Sequence, residues 1–173
     1  MAGKSERRII LIGNPNVGKS ALFNQLTKRY VSVSNYPGTT VSISRGLLNI
    51  HDTVYEVIDT PGLYSLLPIT DDERVARRVM FEYAEDIVVH VADAKNIDRT
   101  LSLTLQLLEM GSKILLVLNI MDEADREGIK IDTAILEKQL GIPVVKTVSI
   151  QGRGIPQLKE KIYEHANGRI FRA

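Results

Sequence analysis

Short runs rich in isoleucine, valine and leucine alternate along this chain with segments in which apolar residues recur every three or four positions. The short runs predict β-strands, because polar or glycine-containing turns bound them on both sides. We predict six strands, over residues 7–12, 41–50, 53–58, 87–92, 114–119 and 144–148. The second and third of these form a hairpin about His51 and Asp52.

The segments with helical periodicity carry start and stop signals. Thr70 and Glu73 have the spacing of a capping box and predict a helix that begins directly after Thr70. Gly111 and Gly141 each follow a periodic segment and favour the left-handed conformation that ends a helix. The other predicted helices cover residues 18–28, 98–110, 132–140 and 155–165.

This alternation of strands and helices predicts an α/β fold. We expect a mostly parallel six-stranded sheet with one antiparallel edge strand and helices on both faces. Two segments, residues 29–40 and 61–69, are long and lack a clear periodicity. Loops of that length in a compact domain are often functional, so both are expected near a ligand site.

Composition narrows the class of protein. The 173 residues fit one domain, and 22 Lys and Arg against 21 Asp and Glu leave a net charge of +1, which gives no support to nucleic-acid binding. Cysteine is absent, which excludes disulfides and thiolate metal sites. The apolar run at residues 114–118 is far shorter than the ~18 residues of a membrane helix. We therefore predict a cytoplasmic domain without direct membrane insertion.

The stretch GNPNVGKSALFNQL, from Gly13 to Leu26, follows the first predicted strand and leads into a helix. It matches the phosphate-binding pattern GxxxxGK[ST] in the strand-loop-helix context that this pattern requires. Lys19 is expected to reach the β- and γ-phosphates, and the Ser20 hydroxyl to bind Mg²⁺. A chance match in a glycine-containing turn is the alternative. The predicted nucleotide-binding residues of this loop are Asn14, Pro15, Asn16, Val17, Gly18, Lys19, Ser20 and Ala21.

Other polar groups follow later strands, where ligands bind in folds of this type. Asp59 ends the third strand and is expected to hold Mg²⁺ through a bound water, while Gly62 allows a backbone N–H to approach the γ-phosphate. A hydroxyl from Thr39 or Thr40, late in the first long loop, can complete the magnesium site. Read alone, each of these is also an ordinary turn residue.

Asn119 and Asp122 follow the fifth strand in the spacing NxxD. A carboxylate in the plane of guanine accepts hydrogen bonds from both N1–H and the 2-amino group, which adenine cannot match. Asp122 is therefore expected to select GTP over ATP, with Asn119 bracing the loops; simple helix capping is the alternative. The loop Ser149, Ile150 and Gln151 is expected to close over the base with its backbone N–H groups.

These motifs carry a family resemblance. GNPNVGKS, PGTT, DTPG, NxxD and the Ser149 loop resemble the five motifs of small, Ras-like regulatory GTPases, in the same order and over almost the whole chain. More narrowly, SNYPGTTVSISRG and DTPGLYSLLPITDDERVAR are similar to the cytosolic G domain of the FeoB family, the prokaryotic ferrous iron transport proteins B. Tyr-Ser-Leu after DTPGL and residues 72–77 are the most specific pieces.

The resemblance implies a Mg²⁺-dependent GTPase with Thr40 as the magnesium ligand of switch I and switch II over residues 64–74. It implies that Lys19, Thr40, Gly62 and Asn16 serve catalysis, with Asn16 binding a potassium ion. Residues 1–173 are then a single G domain at the cytosolic face of the inner membrane. The helical regulatory and membrane domains expected as its partners are absent from this chain, and homo-oligomer formation stays open.

Three departures from the common GTPase pattern matter. Ile120 and Met121 replace the usual lysine of NKxD, which removes one bracing interaction, and Ile150 stands where the base-closing loop usually has alanine. Leu63 follows DTPG where many GTPases carry a catalytic glutamine. Since leucine cannot orient water, we expect intrinsic turnover to be slow relative to the ~1–100 s⁻¹ of kinases.

Two alternatives are weighed against this hypothesis. One is a separate GTPase of the ribosome-assembly or tRNA-modification type, in which switch I often reads Thr-Thr-Arg, whereas Val41 follows Thr40 here. The other is a nucleotide-binding interaction module that does not hydrolyse GTP, because the glutamine is missing.

Overall fold

The structure is a computed structural model that describes residues 7–168. One seven-stranded sheet forms its centre, with the strand order β2-β3-β4-β1-β5-β6-β7. The strands are β1 (Arg7–Ile12), β2 (Arg29–Asn35), β3 (Ser42–Ile50), β4 (Thr53–Asp59), β5 (Ile87–Asp93), β6 (Lys113–Asn119) and β7 (Val144–Lys146). The helices are α1 (Lys19–Thr27), α2 (Asp71–Glu82), α3 (Ile97–Glu109), α4 (Met121–Arg126), α5 (Thr133–Leu140) and α6 (Ile155–Ala166).

Strand direction agrees with the predicted fold class. β1 pairs in parallel with β4 and β5, and the parallel set continues through β6 to β7. β3 runs antiparallel to both of its neighbours, β2 and β4. The predicted α/β fold, a mostly parallel sheet with antiparallel pairing at one edge, is confirmed, and β2 adds a further strand outside the predicted antiparallel strand β3. The carboxyl ends of β1, β4, β5 and β6 consequently meet at one edge of the sheet, where a ligand is expected.

Side chains of β1 alternate between two hydrophobic cores, one on each face of the sheet. Ile10 and Ile12 pack in the core beneath α2 and α3, with Val79 and Leu103. On the other face, Ile9 and Leu11 pack in the core beneath α1 and α6. This alternation follows from the two-residue period of a strand, and it explains why the parallel strands read as continuous apolar runs.

Two elements were missing from the sequence prediction. Residues 29–35, predicted as irregular loop, form the edge strand β2, which makes the sheet seven-stranded rather than six-stranded. Val31 and Val33 alternate with Ser32 and Ser34, but all four are exposed, so burial left no strong signal. The short helix α4 follows Ile120 and is too brief for a periodicity to be visible.

The predicted helix signals are otherwise confirmed. The capping box at Thr70 is complete, since its hydroxyl accepts from Glu73 N–H at 3.2 Å and the Glu73 carboxylate accepts from Thr70 N–H at 3.0 Å. Gly111 and Gly141 have φ angles of 75° and 68° at the ends of α3 and α5. Within residues 7–168, no helix combines the length and the apolar character needed to cross a membrane.

Candidate nucleotide-binding site

The loop between β1 and α1 has the shape of a phosphate cradle. Gly18 adopts a left-handed conformation with φ 86°, and no side chain caps the helix that begins at Lys19. Asn16 is also left-handed, with φ 63°. The backbone N–H groups of the first turn of α1 therefore have no side-chain acceptor, and such groups together with the helix dipole favour an anion.

A cleft of about 550 Å³ opens beside this loop. Its lining includes six residues that the sequence predicts for catalysis or metal binding: Asn16, Lys19, Ser20, Thr40, Asp59 and Gly62. Asp72, in the first turn of α2, lines the same cleft and was not predicted. In the sequence, an acidic residue next to the capping box indicates only the first turn of a helix, so Asp72 gave no separate signal for a ligand site.

Lys19 and Asp59 carry opposite charges and are both largely shielded from water. Burial lowers the pKa of Lys19, and the neighbouring Asp59 opposes that shift. Burial also raises the pKa of Asp59, against the effects of Lys19 and of the Ser20 hydroxyl, which donates to Asp59 Oδ2 at 3.0 Å. Asp59 Oδ1 is buried and has no hydrogen-bond partner within residues 7–168. A buried carboxylate oxygen without a donor fits a bound cation or its water.

Gly62 lies against the phosphate loop. A Cβ at this position would come within 2.5 Å of Pro15 Cγ, so the close approach requires glycine. The next residue, Leu63, donates its backbone N–H to the Gly13 carbonyl at 2.9 Å, and its side chain is fully buried in the core. Leu63 therefore stabilises the packing of this segment instead of facing the cleft.

The two adjacent threonines of the first long loop have different surroundings. The Thr39 hydroxyl donates to the Tyr36 carbonyl at 2.9 Å and accepts from Val41 N–H at 3.2 Å, so it closes the turn. Thr40 is exposed and lines the cleft. Of the two hydroxyls, that of Thr40 is the one available to a ligand.

Asn119 joins three loops at the other end of the site and is 3% exposed. Its Nδ2 donates to the Val17 carbonyl at 2.9 Å, which ties the end of β6 to the phosphate loop. Its Oδ1 accepts from the Thr147 hydroxyl at 2.9 Å and from Ser149 N–H and Oγ at 3.0 and 2.8 Å. Thr147, which was not predicted, belongs to this network; a threonine at the end of an apolar run carries no distinguishing sequence signal.

Asp122 is the second residue of α4 and lies on the neighbouring loop. Its Oδ2 accepts from Arg126 Nη2 at 3.0 Å, and its side chain is 18% exposed. Ser149, Ile150 and Gln151 form a short 3₁₀ turn in which the Ile150 side chain is 76% exposed. Asn119 and the Ser149 loop are thus brought together by direct contact, and Asp122 follows Asn119 on the same connection.

The histidines lie apart from this site. His90 is fully buried on β5, where its Nδ1 is 2.9 Å from the Thr104 hydroxyl, and burial lowers the pKa of His90 to about 4. His51 Nε2 is 3.0 Å from Glu160 Oε2 at the surface. In the part of the chain that the structure describes, no group of His, Cys, Asp and Glu side chains has the arrangement of a metal cluster.

Comparison with known proteins gives a consistent result. A sequence model of the family described as Ferrous iron transport protein B matches residues 7–162. The Fe(2+) transporter FeoB of Salmonella typhimurium is 43% identical over 165 residues, which cover 92% of this chain and 21% of that protein. The Fe(2+) transport protein A/Fe(2+) transporter FeoB fusion protein of Porphyromonas gingivalis is 41% identical over 163 residues, covering 94% of this chain and 19% of that protein. The chain thus spans about a fifth of the length of these relatives.

Solved structures agree with the sequence comparison. The G domain of the T. maritima FeoB iron transporter superposes with a TM-score of 0.85 at 42% identity, covering 93% of this chain and 99% of that one. The cytosolic domain of the same transporter in a GMPPNP form gives a TM-score of 0.90 at 42% identity, covering 96% of this chain and 66% of that one. By sequence and by fold, this chain belongs to the FeoB family of ferrous iron transport proteins and is a cytosolic G domain of that family.

Proposed function

We propose that this domain binds GTP and GDP, hydrolyses GTP to GDP and phosphate, and acts as the switch of a ferrous iron transporter. The observation that carries the proposal is the single cleft in which Lys19, Ser20, Thr40 and Asp59 meet the uncapped start of α1. These groups are a cation, two hydroxyls and a carboxylate, which is the set that a nucleoside triphosphate and its metal ion require.

The cleft suits Mg²⁺. Hard oxygen donors are what this ion prefers, and the Ser20 hydroxyl already contacts Asp59 at 3.0 Å beside the unpartnered Asp59 Oδ1. Ser20 and Thr40 would bind the ion directly and Asp59 through a water. When bound, the metal would neutralise the negative charge that develops on the phosphate oxygens. Lys19 contributes a second positive charge to the same oxygens.

Guanine selectivity is assigned to Asp122, whose carboxylate accepts from N1–H and from the 2-amino group of the base. Asn119 hydrogen-bonds to both the phosphate loop and the Ser149 loop and so fixes their relative position. The groups assigned to the base and to the phosphates therefore form one connected unit. Structures of the T. maritima FeoB cytosolic domain in GDP and GMPPNP forms support this nucleotide class.

Hydrolysis is proposed to be slow without further help. Water attacks the γ-phosphorus as the bond to the β–γ bridging oxygen breaks, and the Leu63 side chain is buried and apolar, so it cannot orient that water. Asn16 lines the cleft, and we assign to its side-chain oxygen the binding of a potassium ion that adds positive charge near the phosphates. Gly62 N–H is assigned to the γ-phosphate.

The partners are proposed from the iron-transport context of the family. We propose that the domain acts with the helical regulatory and membrane domains of a full transporter at the cytosolic face of the membrane. The family match over residues 7–162 favours this reading over a separate ribosome-assembly or tRNA-modification GTPase. A measurement of GTP hydrolysis separates this proposal from the alternative of a module that binds GTP without hydrolysing it.

The test is single-turnover hydrolysis of GTP and ATP side by side, with Mg²⁺ and with Mg²⁺ removed by a chelator. We expect GDP and phosphate to form only from GTP and only with Mg²⁺. Tight GTP binding with no phosphate release in potassium or sodium would establish the non-hydrolysing alternative. Equal use of ATP would contradict the assignment of Asp122.

A further inference from the structure

The helix that carries Asp122 begins in an unusual way. Ile120, directly before α4, has φ 62° and ψ 34°, and no side chain caps the helix. A β-branched residue in the left-handed region is a strained conformation, which persists only where other contacts maintain it. The helix itself spans only Met121–Arg126, so its own hydrogen bonds contribute little to its stability.

Two cations contact the first turn of this short helix. Arg126 donates from Nη2 to Asp122 Oδ2 at 3.0 Å and from Nε to the Asp122 carbonyl at 3.2 Å, so one guanidinium contacts both the side chain and the backbone of Asp122. Lys95 Nζ pairs with the carboxylate of Glu123, the next residue of α4.

Lys95 is itself held in place at the end of β5. Its backbone N–H donates to Asp93 Oδ1 at 2.9 Å, and the Asn96 side chain donates to Asp93 Oδ2 at 2.8 Å. The Lys95–Glu123 pair therefore connects the first turn of α4 to the end of a central strand. Arg126, by contrast, acts within α4.

We infer that Arg126 and Lys95 are positioning residues for guanine recognition, because together they fix the side chain of Asp122 and the helix that presents it. The inference rests on the proposed guanine-binding function. Each carboxylate oxygen has two acceptor sites, so Oδ2 accepts from Arg126 and still has capacity for the base, while Oδ1 is unused by Arg126. A carboxylate already held in one rotamer loses less entropy when guanine binds.

A lysine reaches this helix although the lysine of the NKxD pattern is absent. Ile120 stands where many GTPases carry a bracing lysine, and here a lysine from a different segment, Lys95, reaches the same helix. Arg126 is 72% exposed, and exposed ion pairs add little to the stability of a fold. The expected effect of removing it is therefore on base recognition rather than on unfolding.

The test compares GDP with IDP, whose base lacks the 2-amino group, by titration calorimetry with Mg²⁺. Arg126→Met is expected to weaken GDP binding by about threefold to tenfold and IDP binding by no more than about twofold, because only guanine needs both carboxylate oxygens in a fixed plane. Arg126→Lys should recover part of the GDP affinity, since an ammonium group can contact only one of the two acceptors. Lys95→Met is expected to act in the same direction.

Arg153→Met is the matched control. Arg153 is 56% exposed, and its Nη2 lies 3.7 Å from Asp125 Oδ2, so its loss removes a cation that pairs with the same helix without touching Asp122. It should change neither affinity, and Arg126→Met and Arg153→Met, which remove exposed cations, should keep the thermal unfolding midpoint. Unchanged or tighter GDP binding by Arg126→Met, or equal losses for GDP and IDP, would overturn the inference. If the unmodified protein does not prefer GDP to ADP, the proposed function itself fails.

Discussion

Asn119 Nδ2 donates to the carbonyl oxygen of Val17 at 2.9 Å, across 102 positions of sequence. The contact is so close that a Cβ on the adjacent Gly18 would lie 2.3 Å from the same nitrogen. One buried amide thus sets the distance between the loop that is predicted to hold phosphates and the loops that are predicted to hold the base. Replacement of that amide is therefore the most direct test of how the site is held together.

We predict that Asn119→Ala destabilises the fold and weakens nucleotide binding together. The change leaves the Val17 carbonyl, the Ser149 N–H and the Thr147 hydroxyl without a partner in a buried place, at a cost of about 1–3 kcal/mol for each group that water cannot reach. Thermal and chemical unfolding measure the first effect and GDP titration the second. An unchanged unfolding midpoint would show that the network is not structural.

Asp122→Ala is predicted to remove several kcal/mol of GTP affinity, about the cost of leaving two base donors unpaired in a desolvated site. Asp125→Ala is the control, because Asp125 lies on the same helix with its Oδ2 3.7 Å from Arg153 Nη2, and this variant should bind GTP as the unmodified domain does. Competition of GTP with ATP is the measurement. GTP binding that survives the Asp122 change within about twofold would contradict the assignment.

Thr40→Ala is predicted to leave GDP binding nearly intact while slowing GTP hydrolysis, because its hydroxyl is recruited only when the γ-phosphate is present. Thr39→Ala provides the contrast, since the Thr39 hydroxyl closes the turn through Tyr36 and Val41. Nucleotide titrations and single-turnover rates separate the two. Equal losses of GDP and GTP binding in Thr40→Ala would make Thr40 a structural residue.

Potassium is predicted to accelerate GTP hydrolysis relative to sodium at matched ionic strength. Asn16→Ala should abolish the difference between the two salts while nucleotide binding persists, because the proposed cation site loses its side-chain oxygen. The comparison is made with chloride salts and a fixed Mg²⁺ concentration. Identical rates in both salts for the unmodified domain would refute the potassium site and leave water positioning to a partner protein.

The buried His90 predicts a specific dependence of stability on pH. Its pKa is about 4 in the folded domain and about 6.5 in the unfolded chain, so the unfolded state binds the proton more readily. The free energy of unfolding has its full value above about pH 6.5. It decreases as the pH falls towards 4, by about 3 kcal/mol over the interval between the two pKa values. His90→Met should flatten the free energy of unfolding over this range.

The control for that measurement is His51→Ala, which removes an exposed histidine on the hairpin turn. Denaturant unfolding at several pH values between about 7 and about 4.5 would give the dependence of the free energy of unfolding on pH for the unmodified domain, His90→Met and His51→Ala. A slope that is the same with and without His90 would mean that other groups, such as carboxylates, account for the acid sensitivity.

The sequence by itself determined the elements whose signals are local. Continuous apolar runs identify the parallel strands because both faces of the sheet are covered, and the Thr70 capping box and the glycines at 111 and 141 mark helix ends through backbone chemistry alone. The order of the five motifs indicated a Ras-like GTPase, and the segments SNYPGTTVSISRG and DTPGLYSLLPITDDERVAR indicated the FeoB family.

The tertiary structure decided what depends on long-range contact. The strand β2 exists because β3 offers it a hydrogen-bonding edge, although its residues 31–35 are exposed and give only a weak pattern. The different surroundings of Thr39 and Thr40 follow from a turn that uses the Thr39 hydroxyl, and the burial of Leu63 follows from packing beneath α2. The Asn119 network and the Lys95–Glu123 pair join groups that lie far apart in the sequence. No local pattern specifies such partners, because they depend on which loops the sheet brings together.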